Sequence, residues 1–433
     1  MFRYVAQLTT MWLVQCTSLL SGIKVPTFLS PRLFPSKSLS IFSLTVLYLL
    51  TLPSLAADTL EVPIVFVQRQ QQLQEPLSLL DVRIEDESLK GVELGLSDNQ
   101  TTGKFLKHKY SLDVVSLEED EALAADAITA KTTSSEPPTL LLADLQSADL
   151  LALADAFPDS LGMNVRAQDH ALRMTDCRAN VFHIVPSRTM LTDGLTQFLN
   201  FKRWNRVVLV TGRHPQDEYY ADAMRRSIKR FGLKLVDEKR WTSVPGARRT
   251  DSGHHSLQKE VPAFSRFKKH DVVLVADEAD EFGEYLTYST SESRLVMGTQ
   301  GLIATAWHRS HEQWGGTQLQ RRFTELAGRH MTPRDHAGWV GMRALGEAVT
   351  NTSSNVAKDL REFMLSDKFK LAAFKGAPLT FRRWNGQLRQ PVLITGPRML
   401  VSVSPQEGFL HERTELDTLG VDRNESTCKV FEQ

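Results

Sequence analysis

Strand-like and helix-like segments alternate along this chain from residue 60 onward. Residues 62–67 form a β-rich run, and Leu89, Val92 and Leu96 recur at the spacing of one helix face. Further strands are expected at 110–115, 139–143, 164–167 and 180–184, with helices at 118–130 and 147–157. Strands that alternate with helices form a parallel sheet flanked by helices. This first series therefore predicts an α/β lobe.

The alternation then restarts with two strongly apolar strands, 206–211 and 271–276. Helices are expected at 189–201, 216–231, 257–267, 313–328, 335–350 and 356–364, with strand-like segments at 234–237, 379–381, 391–394 and 399–403. Buried Val/Leu-rich strands are typical of a parallel sheet with its own core. The expected fold class is α/β, with two doubly wound parallel-sheet lobes, and residues 242–255 are expected to form an exposed loop.

The charge balance excludes a protein that grips nucleic acid by bulk electrostatics. The 433 residues carry 51 Lys and Arg against 51 Asp and Glu, whereas phosphate binding needs a basic surplus. Residues 1–56 contain four basic residues and no acidic one, so the rest of the chain holds 47 basic and 51 acidic groups. We expect no nucleic-acid partner.

The first 57 residues have the order of a secretory signal peptide. An apolar run at 41–50 follows the basic residues, and Ser54 and Ala56 stand at the two small positions before a cleavage site after Ala56 or Ala57. The alternative is a membrane anchor, although the run is short for a hydrocarbon core about 30 Å thick. A second apolar stretch at 5–23 indicates either a start codon chosen too far upstream or an extended leader.

Two cysteines remain once Cys16 leaves with the leader. Cys177 and Cys428 form an even pair, which in an oxidising compartment is compatible with a disulfide between the middle of the chain and its C-terminal tail. Two separate free thiols are the alternative. There is no CxxC motif and no Cys/His zinc spacing.

The common catalytic and nucleotide-binding motifs are missing. The chain contains no GxxxxGK[ST], GxSxG, HExxH or GxGxxG segment. An exported two-lobed α/β protein without such a motif is expected to bind a ligand rather than to act as an enzyme, and no cofactor is expected.

Three segments resemble a known family. KGVELGLSDNQTTG at 90–103, VFHIVPSR at 181–188 and GAPLTFRRWNG at 376–386 are similar, in this order, to segments of type I periplasmic solute-binding proteins. These are the branched-chain amino-acid-binding group of ABC transporters, and the resemblance extends from about 60 to 397. ADEADEFGEY at 276–285, HEQWG at 311–315 and NGQLRQP at 385–391 resemble the subfamily encoded beside pyrroloquinoline-quinone (PQQ)-dependent alcohol dehydrogenases.

The resemblance implies a monomeric periplasmic receptor that closes two lobes around a small polar solute or a metal species. It implies crossings near 184, 304 and 370. Lobe one would comprise 58–184 and 305–370, and lobe two 185–304 and 371–433 with a C-terminal tail, after the leader 1–57. The partners would be the permease and ATPase subunits of an ABC importer. The alternative is a sensor or accessory protein of a quinoprotein dehydrogenase system with the same fold.

On lobe one, polar residues follow two expected strands, where open parallel sheets bind ligands. The candidates are Asp144, Gln146, Ser147, Gln168, Asp169 and His170. Ser147 could bind the ligand at a helix N-terminus or merely cap that helix. The family binds an amino-acid carboxylate through such hydroxyls, and Ser147 matches that part by position.

On lobe two, polar residues again follow the expected strands. The candidates are Arg213, His214, Tyr219, Asp277, Glu278, Asp280 and Trp307. Asp277, Glu278, Asp280 and Glu281 belong to a run of five carboxylates in eight residues, which suits a hard cation or a cationic ligand group. The alternative is an acidic first helical turn favoured by the helix dipole. Arg213 and His214 depart from the family pattern and argue against an amino-acid ligand.

Overall fold

The computed structural model describes residues 59–70, 84–242 and 259–431. The expected leader and almost all of the loop expected at 242–255 lie outside these ranges. Within them, no helix is long and apolar enough to cross a membrane.

The first sheet contains five parallel strands in the order β2-β1-β3-β4-β5. Its strands are β1 (Leu60–Arg69), β2 (His108–Leu117), β3 (Leu140–Asp144), β4 (Leu161–Asn164) and β5 (Val181–His183). The connecting helices are α1 (Leu89–Leu106), α2 (Ala125–Ala130) and α3 (Ser147–Ala156). β3 is buried along its whole length, as a central parallel strand covered on both faces should be.

The second sheet has seven strands in the order β14-β13-β10-β9-β8-β6-β7. They are β6 (Arg206–Thr211), β7 (Lys234–Arg240), β8 (Val272–Ala276), β9 (Leu295–Gly298), β10 (Leu302–Thr305), β13 (Val392–Gly396) and β14 (Met399–Ser404). Strands β6 to β10 pair in parallel, whereas β13 and β14 add an antiparallel edge. The helices of this region are α4 (Arg188–Phe201), α5 (Pro215–Arg230) and α6 (Gly283–Ser289).

Three later helices return to the first sheet. They are α7 (Gly316–Ala327), α8 (Pro333–Thr352) and α9 (Ala357–Leu365), and a short hairpin of β11 (Thr380–Phe381) and β12 (Leu388–Arg389) follows. Helix α8 packs closely on α1 at Gly91. A Cβ atom at this position would lie 1.8 Å from the carbonyl oxygen of Asp335, so the close approach requires glycine. We call the first sheet with α1–α3, α7–α9 and the hairpin lobe one, and the second sheet with α4–α6 lobe two.

The division between the lobes lies later in the chain than the expected boundary at 370. Leu371, Leu379 and Leu388 pack in the core that contains Phe182 and the residues of α8. Val392 already packs in the core of lobe two. The third crossing is therefore at 389–391, because the segment before it buries its apolar side chains against lobe one.

The C-terminal tail contacts both lobes. Leu419 packs in the core of lobe two, whereas Cys428 and Phe431 pack in the core of lobe one. Cys428 forms a disulfide with Cys177, with the two Cα atoms 5.9 Å apart. Of the two alternatives, the structure has the disulfide rather than two separate thiols, and the tail is a further connection between the lobes.

The expected α/β class with parallel sheets is confirmed, and single elements differ. Strand β4 ends at Asn164, because the Asn164 side-chain oxygen accepts the backbone N–H groups of Arg166 (3.1 Å) and Ala167 (2.8 Å). This local turn replaces sheet pairing, so the strand expected at 164–167 lies three residues earlier. The helix expected at 118–130 is confined to Ala125–Ala130.

Candidate functional site

Loops that follow strands of both sheets border one polar cavity of about 550 Å³. Lobe one contributes residues after β3 and β4, and lobe two contributes residues of α4 and α5 and after β8 and β9. The lining residues are Gln146, Arg166, Gln168, Arg188, Leu191, Tyr220, Asp277, Glu278, Asp280, Gly298, Thr299, Gln300, Ile303, Ala304 and Thr305. This is the edge at which parallel sheets bind ligands, and the volume suits a small molecule.

Arg188 borders the polar cavity from lobe two. It is the first residue of α4, and its guanidinium donates two bonds to the Glu278 carboxylate, both 2.8 Å, and one of 2.8 Å to Asp169 of lobe one. Burial lowers the pKa of Arg188, but the two carboxylates outweigh burial and the net pKa is raised. Burial raises the pKa of Glu278, and Arg188 offsets this only in part. Arg188 thus links the two lobes through an ion pair.

The acidic segment after β8 is a loop held by its own first carboxylate. Asp277 accepts the backbone N–H groups of Glu281 (3.0 Å), Phe282 (2.8 Å) and Gly283 (2.7 Å) and is 1% exposed. The side-chain amide of Gln300 donates to the Asp277 carbonyl at 3.0 Å. Helix α6 begins only at Gly283, so the alternative of an acidic first helical turn is wrong for Asp277 to Glu281.

The four carboxylates do not converge on one point. Glu278 pairs with Arg188, whereas Glu281 pairs with Arg213 (2.7 Å) and His214 (2.9 Å). These ion pairs lower the pKa of Glu281 to about 2. Across the part of the chain that the structure describes, no group of three or more His, Cys, Asp or Glu residues is placed to hold a metal ion.

The lobe-one side of the cavity carries amides and a cation. Gln146 and Gln168 line it, and Arg166 lines it beside them. Burial lowers the pKa of Arg166, and the nearby charge of Arg334 lowers it further. Asp144 is not a lining residue, because it is buried and binds Arg334 at 2.5 Å.

A second cavity, of about 690 Å³, is also bordered by Arg188. We call it the tail-side cavity, because Thr427 of the C-terminal tail lines it. Four of the expected site residues lie here rather than in the polar cavity: Ser147, Asp169, His170 and Tyr219. Ser147 is the first residue of α3, and its hydroxyl donates to the Asp169 carboxylate. The expected site residues are thus divided between two cavities that share Arg188.

Four expected site residues lie in neither cavity: Asp144, Arg213, His214 and Trp307. Trp307 is 0% exposed and stacks on His336, with ring centroids 4.5 Å apart, in the core of lobe one. Arg213 and His214 bind Glu281 and line neither cavity. The Trp307 ring is buried by the core of lobe one, so Trp307 is not available to a ligand although it lies close to the second crossing.

Sequence reasoning missed several lining residues. They are Arg166, Arg188, Leu191, Gly298, Thr299, Gln300, Ile303, Ala304 and Thr305. No strand was expected in the segment 298–304, which contains the end of β9 and the start of β10. Gly298 was an available signal: it has φ +129°, and a Cβ atom there would lie 2.1 Å from the Val275 carbonyl oxygen. Only glycine permits β9 to approach β8 at this edge.

Comparison with solved structures gives the fold. A periplasmic ligand-binding protein of a branched-chain amino acid ABC transporter from Burkholderia xenovorans superposes with a TM-score of 0.60 and 14% identity, over 79% of this chain and 95% of that chain. The chain has the fold of type I periplasmic binding proteins. A leucine-, isoleucine-, valine-, threonine- and alanine-binding protein from Brucella ovis, in a closed conformation, is also similar. It superposes with a TM-score of 0.59 and 12% identity, over 78% of this chain and 89% of that chain.

A third similar structure is a solute-binding protein of an ABC transporter from R. palustris in complex with benzoate. It gives a TM-score of 0.59 and 14% identity, over 85% of this chain and 99% of that chain. No family model matches the chain, and no curated protein matches it. These neighbours are substrate-binding proteins and not enzymes.

Proposed function

We propose that this protein is the periplasmic substrate-binding component of an ABC importer and that it binds a small polar solute between its lobes. The observation that carries the proposal is the polar cavity, to which loops from both sheets contribute. The neighbours, which include amino-acid-binding proteins and a benzoate complex, support a receptor role. The protein would act as a monomer and deliver its ligand to permease and ATPase subunits.

The connections between the lobes support a hinge. Three short crossings, at 184–187, 306–308 and 389–391, join the sheets, so rotation about them can change the width of the cavity. A ligand that contacts both faces favours the closed form by its extra contacts there. The closed form would then be the one that the permease recognises.

A screen of the purified secreted protein tests the proposal. Amino acids, organic acids, sugars, amines and alcohols would be added, and the melting temperature and the radius of gyration in solution would be measured. A true ligand should stabilise the protein by about 2.7 kcal/mol at a concentration of 100 Kd and should reduce the radius of gyration. If no solute class does either, the receptor proposal fails and the partner-binding alternative gains.

The link to PQQ-dependent alcohol oxidation rests on the sequence resemblance alone. It belongs to both versions of the proposal, an importer of a related solute or an accessory protein of a quinoprotein dehydrogenase system. Permease and ATPase genes beside this one would favour the importer, and co-purification with a dehydrogenase would favour the accessory protein. A metal species as ligand gains no support from the acidic loop, because its carboxylates are bound by groups of the protein.

A further inference from the structure

The C-terminal tail is fixed to lobe two before it reaches lobe one. Leu419 packs in the core of lobe two. The backbone N–H of Gly420 donates to the buried carboxylate of Asp193 on α4 at 2.8 Å. The Glu425 carboxylate pairs with Arg226 of α5, also at 2.8 Å. These contacts hold the tail against both helices of lobe two.

A few residues later the same tail is fixed to lobe one. Cys428 forms the disulfide with Cys177, and both cysteines are buried in the core of this lobe. The Phe431 ring packs edge-on against the Phe182 ring of β5, with ring centroids 5.9 Å apart. Because the disulfide is covalent, a relative motion of the lobes cannot slide this end of the tail along lobe one.

The link between the two attachments is short and lies at a cavity that both lobes border. Only Ser426 and Thr427 separate Glu425 from Cys428, and Ser426 already has an extended backbone, with φ −73° and ψ 130°. An extended chain spans about 3.3–3.6 Å per residue, so the three steps from Glu425 to Cys428 reach about 11 Å at most. Thr427 lines the tail-side cavity, whose other lining residues come from both lobes. The link therefore has little length in reserve.

The stretch just before the link is folded and does not supply slack. Arg423–Glu425 forms a 3₁₀ turn, in which the Asp422 carboxylate accepts the backbone N–H of Arg423 at 2.6 Å and the Glu425 carboxylate accepts that of Asp422 at 3.1 Å. The Val421 carbonyl accepts a bond of 3.1 Å from the buried guanidinium of Arg382. Any further extension of the tail has to break these bonds.

We propose that the C-terminal tail is a tether that limits the rotation of the two lobes about their three crossings. Short crossings permit such a rotation, whereas the tail joins the lobes at a fourth place through a covalent bond. A motion that takes α5 farther from Cys177 than the link can reach must break the pair between Glu425 and Arg226 and then unfold the 3₁₀ turn. The inference concerns the motion of the lobes and not the ligand. It goes beyond the proposed receptor function, and a failed ligand screen would leave it standing.

The distribution of distances between the lobes tests the tether. Phe105 on α1 of lobe one and Tyr288 on α6 of lobe two are 86% and 76% exposed. Each would be replaced by p-acetylphenylalanine and spin-labelled there, which leaves the cysteines untouched, and pulsed double electron–electron resonance would give the width of the distribution. The main variant carries Gly-Ser-Gly-Ser inserted between Ser426 and Thr427, which keeps both attachments and lengthens only the link. Four extended residues add about 13 Å of reach, so we expect the distribution to widen by several ångströms.

A matched insertion separates the tether from a general loosening of the tail. The same four residues inserted between Glu407 and Gly408, in an exposed turn before the attachment to lobe two, leave the link unchanged and should retain the wild-type width. Equal widening by the two insertions, or a wild-type width in the variant with the longer link, would overturn the inference.

Release of the lobe-one end provides the second arm. Cys177→Ser combined with Cys428→Ser, or addition of reductant to the labelled wild type, should also widen the distribution. The widening should not exceed that of the longer link, because Phe431 still packs on lobe one. If the insertion variant does not fold, this arm decides, and an unchanged width after loss of the disulfide would contradict the tether.

Discussion

Asp193 of lobe two and Lys375 of lobe one are buried charges that the protein accommodates in different ways. In lobe two, Asp193 is 0% exposed and is bound by Arg226 (3.2 Å), Arg230 (2.8 Å) and the backbone N–H of Gly420 (2.8 Å). In lobe one, Lys375 is 4% exposed, and its ammonium donates to the Pro391 carbonyl at 2.9 Å. Burial lowers the pKa of Lys375 to about 7. The charge of Asp193 is compensated by opposite charges, whereas Lys375 responds to burial by a change in its pKa.

Charged residues at the polar cavity are likewise bound by the protein itself. The acidic residues of lobe two, such as Asp277 and Glu278, stabilise the loop and the ion pair with Arg188. Both carboxylates line the cavity and are nevertheless held by groups of the protein. The density of charge in the sequence is therefore a poor guide to where a ligand binds, because a charge that is already bound by the protein is not available to a ligand.

The largest expected effect is on the stability of lobe two. Asp193→Ala should lower the free energy of unfolding by about 3–5 kcal/mol, because it leaves Arg226 and Arg230 without their buried partner. Urea denaturation measures the change. Asp222→Ala on α5 is the control: Asp222 is exposed and pairs with Arg225, so its loss should cost less than about 1 kcal/mol. Equal effects of the two variants would show that the buried ion pairs of Asp193 stabilise the protein no more than an exposed pair does.

The disulfide anchors the tail on the lobe-one side. Cys177→Ser combined with Cys428→Ser should lower the free energy of unfolding by about 2–4 kcal/mol, because the open chain gains conformational entropy when unfolded. Reduction of the wild type should give the same loss, and reductant should not affect the double variant. A loss near zero would mean that the packing of Phe431 and the bonds to lobe two hold the tail alone.

The smallest expected effect is the pH dependence that Lys375 introduces. Its folded pKa of about 7 lies below the ordinary value of 10.5, so the unfolded chain binds more protons between these pH values. Stability from this group should therefore rise with pH, by on the order of 1–2 kcal/mol between pH 7 and 9. His311 and His336, whose pKa values burial lowers, are already neutral in this range.

Thermal melting from pH 7 to 9 tests this dependence. Lys375→Met should flatten the rise in melting temperature, whereas Lys370→Met at an exposed position should retain it. A rise that persists unchanged in Lys375→Met would assign it to other groups.

The sequence predicted the elements whose burial is uniform. Residues 206–211 were expected to be a strand and are β6, because a run of Val and Leu between polar ends suits only a buried strand in this setting. The sequence-based prediction of strand bounds was wrong where a side chain ends an element, as the Asn164 side chain ends β4. It also failed at β9 and β10, where a short loop bordered by glycines hides the boundary between two strands.

The candidate site could be predicted only in outline. The rule that ligands bind at the carboxyl ends of parallel strands led to Gln146, Gln168 and Glu278, which line the polar cavity. The rule could not show that Ser147 and Asp169 bond to each other beside a second cavity. Nor could it find Arg188, whose partner Glu278 is 90 residues away in the sequence.

The sequence by itself determined the alternation of strands and helices, the parallel sheets and the pair of cysteines that could join. Periodicity and burial are local properties, so these features can be derived from neighbouring residues. Only the tertiary structure decided that the third crossing lies at 389–391, that Trp307 belongs to the core and that Arg188 binds both Asp169 and Glu278. These features depend on contacts between distant segments, whose energies are set by which groups meet and not by which groups the chain contains.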